Sequence, residues 1–313
     1  MLTRRHIRVK VMQSLYAYSQ SKNDSMISEE KFLLKSMNEM YDLYLLLLDL
    51  MVEIKHQSEG YLEKSQQKHL PTQEEMDPNR KFVENEVLVK LENHSSLQNA
   101  LEARKLNNWK NDDEYVSILV NEIRESDAYE TYMSTRTSDF KADKDFILFI
   151  FREIIAPNEK LYDYLEDKKI TWLDDLPLVN TAIVKMLQKL KAGGNEQALT
   201  KLFKNDDDKE YAIQLFRKTL LNDESLAAEM EGKTPNWDKE RIADLDTILI
   251  KMAICEFLKF PSIPVKVTIN EYLEIAKEYS TPKSSIFING VLDKLSKEYK
   301  ENGKLNKMGR GLM

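Results

Sequence analysis

The 313-residue chain has a single cysteine, Cys255, so it can form no disulfide within itself, which fits a reducing compartment. Cys255 lies in the apolar run MAICEFL, where a buried thiol is expected rather than a nucleophile. Glycine and proline occur only eight times each. Sheet-rich folds and glycine-lined nucleotide sites use more glycine, and neither G-x-G-x-x-G nor a P-loop occurs. There is no run of 18 apolar residues, so no membrane span is expected. The longest candidate, LYLLLLDLMVEI, is interrupted by Asp49 and reads as a buried helix. Met1 and Leu2 lead into a basic polar stretch without the apolar centre of a signal peptide. The four histidines, His6, His56, His69 and His94, have no partners at metal-ligand spacing, so neither metal nor cofactor is expected. No catalytic triad can be read from spacing, and the carboxylates sit on charged helix faces.

An excess of positive charge is also missing. The formal charge is −7 and the pI about 5.4. That excludes a globally basic nucleic-acid binder but leaves room for a local patch. Residues 1–23 carry Arg4, Arg5, Arg8, Lys10 and Lys22 with no carboxylate, and the end of the chain carries Lys300, Lys304, Lys307 and Arg310 against Glu301.

What the chain does have is helical periodicity. Ile7, Val11, Leu15 and Tyr18 form an apolar stripe over residues 4–20, with Thr3 as the N-cap. Residues 29–65 continue in a long helical pattern, 69–81 read as a loop, and 82–140 suggest several further helices. Residues 143–172 align without a gap on 208–237, with nine identities, including Phe151/Phe216, Arg152/Arg217 and Trp172/Trp237. About two would be expected from ordinary composition. The match resumes one residue out of step, as NTAIVKM (180–186) against DTILIKM (246–252), and Gly193-Gly194 ends the first copy. A buried helix runs through Ile242, Leu245, Leu249, Met252, Ala253 and Phe257, stopped by Pro261 and Pro264. Ile269, Leu273 and Ala276 mark the next helix. Ser280-Thr281-Pro282 then supplies a start signal for a last helix carrying Ile288, Leu292 and Leu295. Nothing alternates like a strand, so the fold class is all-α.

Two places suggest anion binding. Arg4, Arg5 and His6 occupy the first turn of the first helix, where cations oppose the helix dipole at about 0.3–1 kcal/mol each. Arg5, Met12 and Tyr16 fall near one line away from the apolar stripe, with Arg8 at its flank. Guanidinium groups for phosphates and a ring for bases suit single-stranded nucleic acid. A merely solubilising basic end with a boundary tyrosine would read the same. The start of the last helix offers free N–H groups beside Lys277, Tyr279 and Lys283, with Phe287 following. Its plain alternative is a capped helix with Phe287 in the core.

RRHIRVKVMQSLY at the N-terminus, and IPVKVTINEYLEIAKEYSTPKSSIFINGVLDKL over 263–295, resemble the NusB transcription antitermination family, in a long form with an internal duplication like those of Bacteroidetes. The resemblance implies helical bundles and a cytoplasmic, non-enzymatic protein. It implies binding of single-stranded boxA-type RNA of ribosomal transcripts together with NusE, a ribosomal small-subunit protein, within the RNA polymerase antitermination complex. By motif position it assigns RNA contacts to Arg4, Arg5, Arg8, Tyr16, Tyr279, Lys283 and Phe287, beside which Lys277 lies, and a partner contact to Asp246. The family has another arginine where this chain has His6. The chain then divides into an N-terminal helical region (1–140), an inserted repeat (141–205), a NusB-type core (206–300) and a basic tail (301–313). The alternative is a helical adaptor in ribosome assembly that binds protein but not RNA. The module also resembles the N-terminal domain of certain ribosomal RNA cytosine methyltransferases, but the glycine-rich fold and catalytic cysteine of an enzyme are not legible.

Overall fold

The computed structural model describes residues 1–21, 25–193, 196–231 and 243–312; Trp237, Ile242 and Gly194 lie outside them. All regular structure among these residues is helical. The first half holds α1 (Arg4–Gln20), α2 (Met26–Gln66), α3 (Gln73–Met76), α4 (Glu86–Glu92), α5 (Ser95–Arg104), α6 (Asn108–Asn111), α7 (Asp113–Glu125) and α8 (Asp127–Met133). Next come α9 (Phe140–Ile150), which runs into a π-helical turn (Phe151–Ile155), then α10 (Glu159–Lys168) and α11 (Leu176–Lys189). The last part holds α12 (Asp206–Leu221), α13 (Asp223–Met230), α14 (Asp244–Lys259), α15 (Val265–Tyr279) and α16 (Ser284–Glu301). None of the described helices is long and apolar enough to cross a membrane.

The chain forms two compact units. One is Asn38–Leu202 with Met1; the other joins Leu2–Met37 to Phe203–Met313. Helix α1 therefore packs with the C-terminal helices. In the first unit, the LYLLLL run is buried on every side of α2. The indole N–H groups of Trp109 and Trp172 donate to the carbonyls of Leu46 and Glu39, both at 2.8 Å, so each large ring is buried without an unpaired donor.

The duplication is visible in three dimensions. Helices α9, α10 and α11 correspond to α12, α13 and α14, and Phe151 and Phe216 are both fully buried. Asn158 caps α10 fifteen positions after Asp143, whereas the equivalent cap, Asn222, lies fourteen after Asp208. The π turn takes up that extra residue, closing with the bond from the Ala156 N–H to the Phe151 carbonyl at 2.8 Å.

In the second unit α1 packs on α12, α14 and α15. Ile7, Val11 and Leu15 are buried as their spacing requires, and α14 is apolar almost all round. The last helix begins at Ser284, later than the proline signal suggests. Pro282 sits in the preceding turn, where the Ser284 N–H donates to the Thr281 carbonyl at 2.9 Å.

Candidate nucleic-acid interface

Helix α1 begins after Thr3. His6, at the third helical position, reaches back so that its Nδ1 lies 2.8 Å from Thr3 Oγ1. Burial and the neighbouring Arg5 charge hold the His6 pKa below its ordinary value. This ring is engaged in the cap.

The three arginines that follow have different fates. Arg4 is half-exposed, donates from Nε to Asp208 at 3.0 Å, and lies 4.7 Å from the centre of the Tyr211 ring. Arg5 is equally open, and its fork grips both oxygens of Glu271 at 3.0 and 2.9 Å. Those hydrogen bonds raise its pKa. Each guanidinium keeps donors beyond those in use, because the group carries five. Arg8 is different: it is 2% exposed. Its Nε and Nη2 donate to the two oxygens of Glu256 at 2.7 and 3.0 Å.

Glu256 is wholly buried on α14 and collects further donors. Thr268 Oγ1 is at 2.9 Å, Tyr272 Oη at 3.1 Å, and Tyr211 Oη also donates. Burial alone would keep this carboxyl protonated, but the Arg8 charge and these donors hold its pKa below the ordinary value. Burial likewise opposes the charge on Arg8, yet the pull of Glu256 prevails and its pKa is raised. The expected place of Arg8 on the flank of an open basic face is therefore corrected. It is the centre of a core network joining α1, α12, α14 and α15. Met12, expected on the open face, is buried as well.

Tyr16 is 41% exposed. It lines a hollow of about 320 Å³ with Met12, Gln13, Ala243, Asp244, Leu245 and Tyr279. The structure thus brings together two rings from the separate sequence candidates. Lys283 is exposed nearby in sequence, and Lys277 pairs with Glu274 at 2.6 Å.

Phe287 is only 5% exposed, so it is a core residue and offers no open ring face. The exposed apolar group on that turn is Ile286, at 75%. Asp246, expected on a partner-facing surface, is buried on α14. Its carboxylate accepts from Ser280 Oγ at 2.6 Å and Ser284 Oγ at 2.7 Å. It ties the turn before α16 to the core, which corrects its exposed reading. Two of the C-terminal cations are also engaged. Lys304 pairs with Glu229 at 2.8 Å, and Lys307 donates to the carbonyls of Glu256 and Phe260, both at 3.0 Å, at the end of α14.

Sequence reasoning missed Glu256, Glu271 and Asp208. Only Glu256 carried a signal, as a lone acid inside MAICEFL. No metal-binding cluster of His, Cys, Asp and Glu occurs among the described residues. The surviving candidate is a half-open cationic helix start, Arg4 and Arg5, on the same helix as the Tyr16–Tyr279 hollow.

Comparison with known proteins places residues 180–297 in a match to the NusB family. The chain is 44% identical over 126 residues to the transcription antitermination protein NusB of Salinibacter ruber, covering 39% of this chain and 79% of that protein. It is 40% identical over 105 residues to the protein of the same name from Chloroherpeton thalassium, covering 34% and 50% respectively. Against that of Clostridium kluyveri it is 40% identical over 93 residues, 30% of this chain and 60% of the relative. No solved structure matches significantly.

Proposed function

Because the chain belongs to the NusB family of transcription antitermination proteins, we propose that it binds single-stranded boxA-type RNA together with NusE, inside the antitermination complex on RNA polymerase, as a cytoplasmic and non-enzymatic factor. The observation that carries the RNA reading is the half-open Arg4–Arg5 pair on the helix that also supplies Tyr16 to the hollow shared with Tyr279. Phosphates would meet Arg4, Arg5 and Lys283, with Lys277 at the rim, and a base would stack in the hollow. Arg8, Phe287 and Asp246 act behind this surface. They hold α1, α16 and the intervening turn in place.

A second reading is favoured by one observation. Arg4 and Arg5 are already paired with Asp208 and Glu271, so RNA must share or displace those carboxylates. A helical adaptor that binds protein alone would tolerate this pairing.

Fluorescence anisotropy of a labelled boxA-type RNA, with and without NusE at two salt concentrations, separates the readings. RNA binding predicts tighter binding with NusE and a log–log salt slope of about −2 for three phosphate contacts on a single strand. Absence of binding even at low salt, with NusE still bound, selects the adaptor.

A further inference from the structure

One acid, Asp49, breaks the apolar run of α2 in the first unit. Leu48 and Leu50 on either side of it are fully buried, and Asp49 itself is half-buried. It makes no hydrogen bond or ion pair among the described residues. Burial, reinforced by Glu53, disfavours its charge. A carboxyl in that position weakens the fold, and a perturbed acid beside a cavity is a mark of a binding site.

Asp49 borders a hollow of about 500 Å³ in this unit, walled by α2, α4, α5 and the turn into α6. Small-molecule sites span about 300–1,000 Å³. The floor is apolar: Val52, Leu91 and Leu97 are buried, and Leu101 and Leu106 are half-buried at the side. The Leu106 N–H donates to the Leu101 carbonyl at 2.9 Å, which holds the turn after α5 against this wall. Two of the other acids on the lining are already matched. Glu92 accepts from Lys55 at 3.0 Å and lies 2.8 Å from His56, and Glu53 lies 3.3 Å from the same imidazole. Glu102, exposed at the mouth, has no such partner among the described residues.

We propose that this hollow binds a linear alkyl diamine, with one ammonium against Asp49, the methylene stem on the leucine wall and the second ammonium at Glu102. The ammonium supplies the counter-charge that Asp49 lacks, and the stem covers apolar surface that water would otherwise meet. Lys105 and Lys110 also border the mouth and repel such a ligand. Both are exposed and can turn to solvent, whereas Asp49 is held within the helix row. A metal ion is served less well, because the floor is hydrocarbon and no metal-binding cluster occurs among the described residues.

The test is isothermal titration calorimetry of the whole protein with cadaverine. Pentylamine, which lacks the second ammonium, and pentanoate, which carries the opposite charge, serve as comparisons. Saturable one-to-one binding of cadaverine is expected, weakened about tenfold, or about 1.4 kcal/mol, by Asp49→Asn. Glu102→Gln should weaken cadaverine about two- to threefold, as for an exposed ion pair, and leave pentylamine unchanged. Both substitutions keep the side-chain shape, and circular dichroism checks that the helices persist. No saturable heat at millimolar cadaverine, or equal affinity in Asp49→Asn, overturns the proposal. Tighter binding of pentanoate than of pentylamine does so as well. Displacement of cadaverine by an equal charge of magnesium ions also overturns it, because the acids would then act only as a diffuse negative surface. Unchanged cadaverine binding in Glu102→Gln removes the second contact and with it the diamine.

Discussion

Replacing Glu256 with alanine should be among the most damaging single substitutions in the second unit. The carboxylate balances a guanidinium that has almost no access to water, and removing it leaves Arg8 charged and buried. Breaking such a pair typically costs about 3–5 kcal/mol. Tyr211, Thr268 and Tyr272 lose their acceptor at the same time, and a buried donor left unpaired adds about 1–3 kcal/mol. Relaxation and entering water reduce the sum, so a loss of about 4–6 kcal/mol is expected, a large share of the roughly 5–15 kcal/mol that stabilises an ordinary domain. Urea unfolding followed by circular dichroism reads it, fitted with a separate transition for each unit where two appear. The pH dependence gives an independent check. The folded pKa of Glu256 lies below its ordinary value of 4.5, so its stabilisation is fully present above that value and fades as pH falls through the folded pKa. The wild type should therefore lose stability on acidification more steeply than the alanine variant. The double replacement Arg8→Met with Glu256→Leu should cost less than Glu256→Ala alone, because no charge is then stranded. A cost below about 1 kcal/mol for Glu256→Ala would refute the reasoning, since even one unmet buried donor should exceed it.

Other expectations follow from the same contacts. Glu271→Gln should release the Arg5 fork and strengthen RNA binding about two- to fivefold at low salt, with the gain shrinking as salt rises; weaker binding would show that Glu271 instead positions Arg5 for the phosphate. Burial, reinforced by Glu53, pushes the Asp49 carboxyl up to about 7. The unfolded carboxyl ionises first, so this site costs stability that grows as pH rises from about 4 to 7. Asp49→Asn should thus raise the melting temperature at pH 8 and change little at pH 3.5, and a loss at pH 8 would contradict the burial argument. Lys307→Met should cost about 1–2 kcal/mol by uncapping the last carbonyls of α14, measurable as faster amide exchange in its final turn.

Much of the fold was legible because it follows from local rules. Apolar residues at helical spacing mark α1, α14, α15 and α16, and scarce glycine and proline leave long segments uninterrupted. The duplication showed directly as identities, and the paired Phe151 and Phe216 occupy the same fully buried environment. The π turn was not legible, because the gapless alignment conceals the one-residue difference in where the next helix is capped.

The candidate site was legible only in part. Side-chain type and position along the chain reveal the arginines, Tyr16 and a basic end, and the helix-start signal before α16 marks the second part of the site around Tyr279 and Lys283, to both of which the family resemblance assigns RNA contacts. Whether a given cation meets water or a carboxylate is a property of the packed molecule. Arg4, Arg5 and Arg8 share one helix and one local composition, yet Arg8 is buried because Glu256 lies against it from 248 residues away. Asp246 and Phe287 were drawn inward by the same long-range packing, the first by Ser280 and Ser284 and the second by the core beneath α16. The sequence by itself therefore determined the helices, the repeat and the kind of chemistry present. Tertiary structure alone decided which charges remain at the surface, because burial and charge pairing depend on distances that periodicity along the chain does not encode.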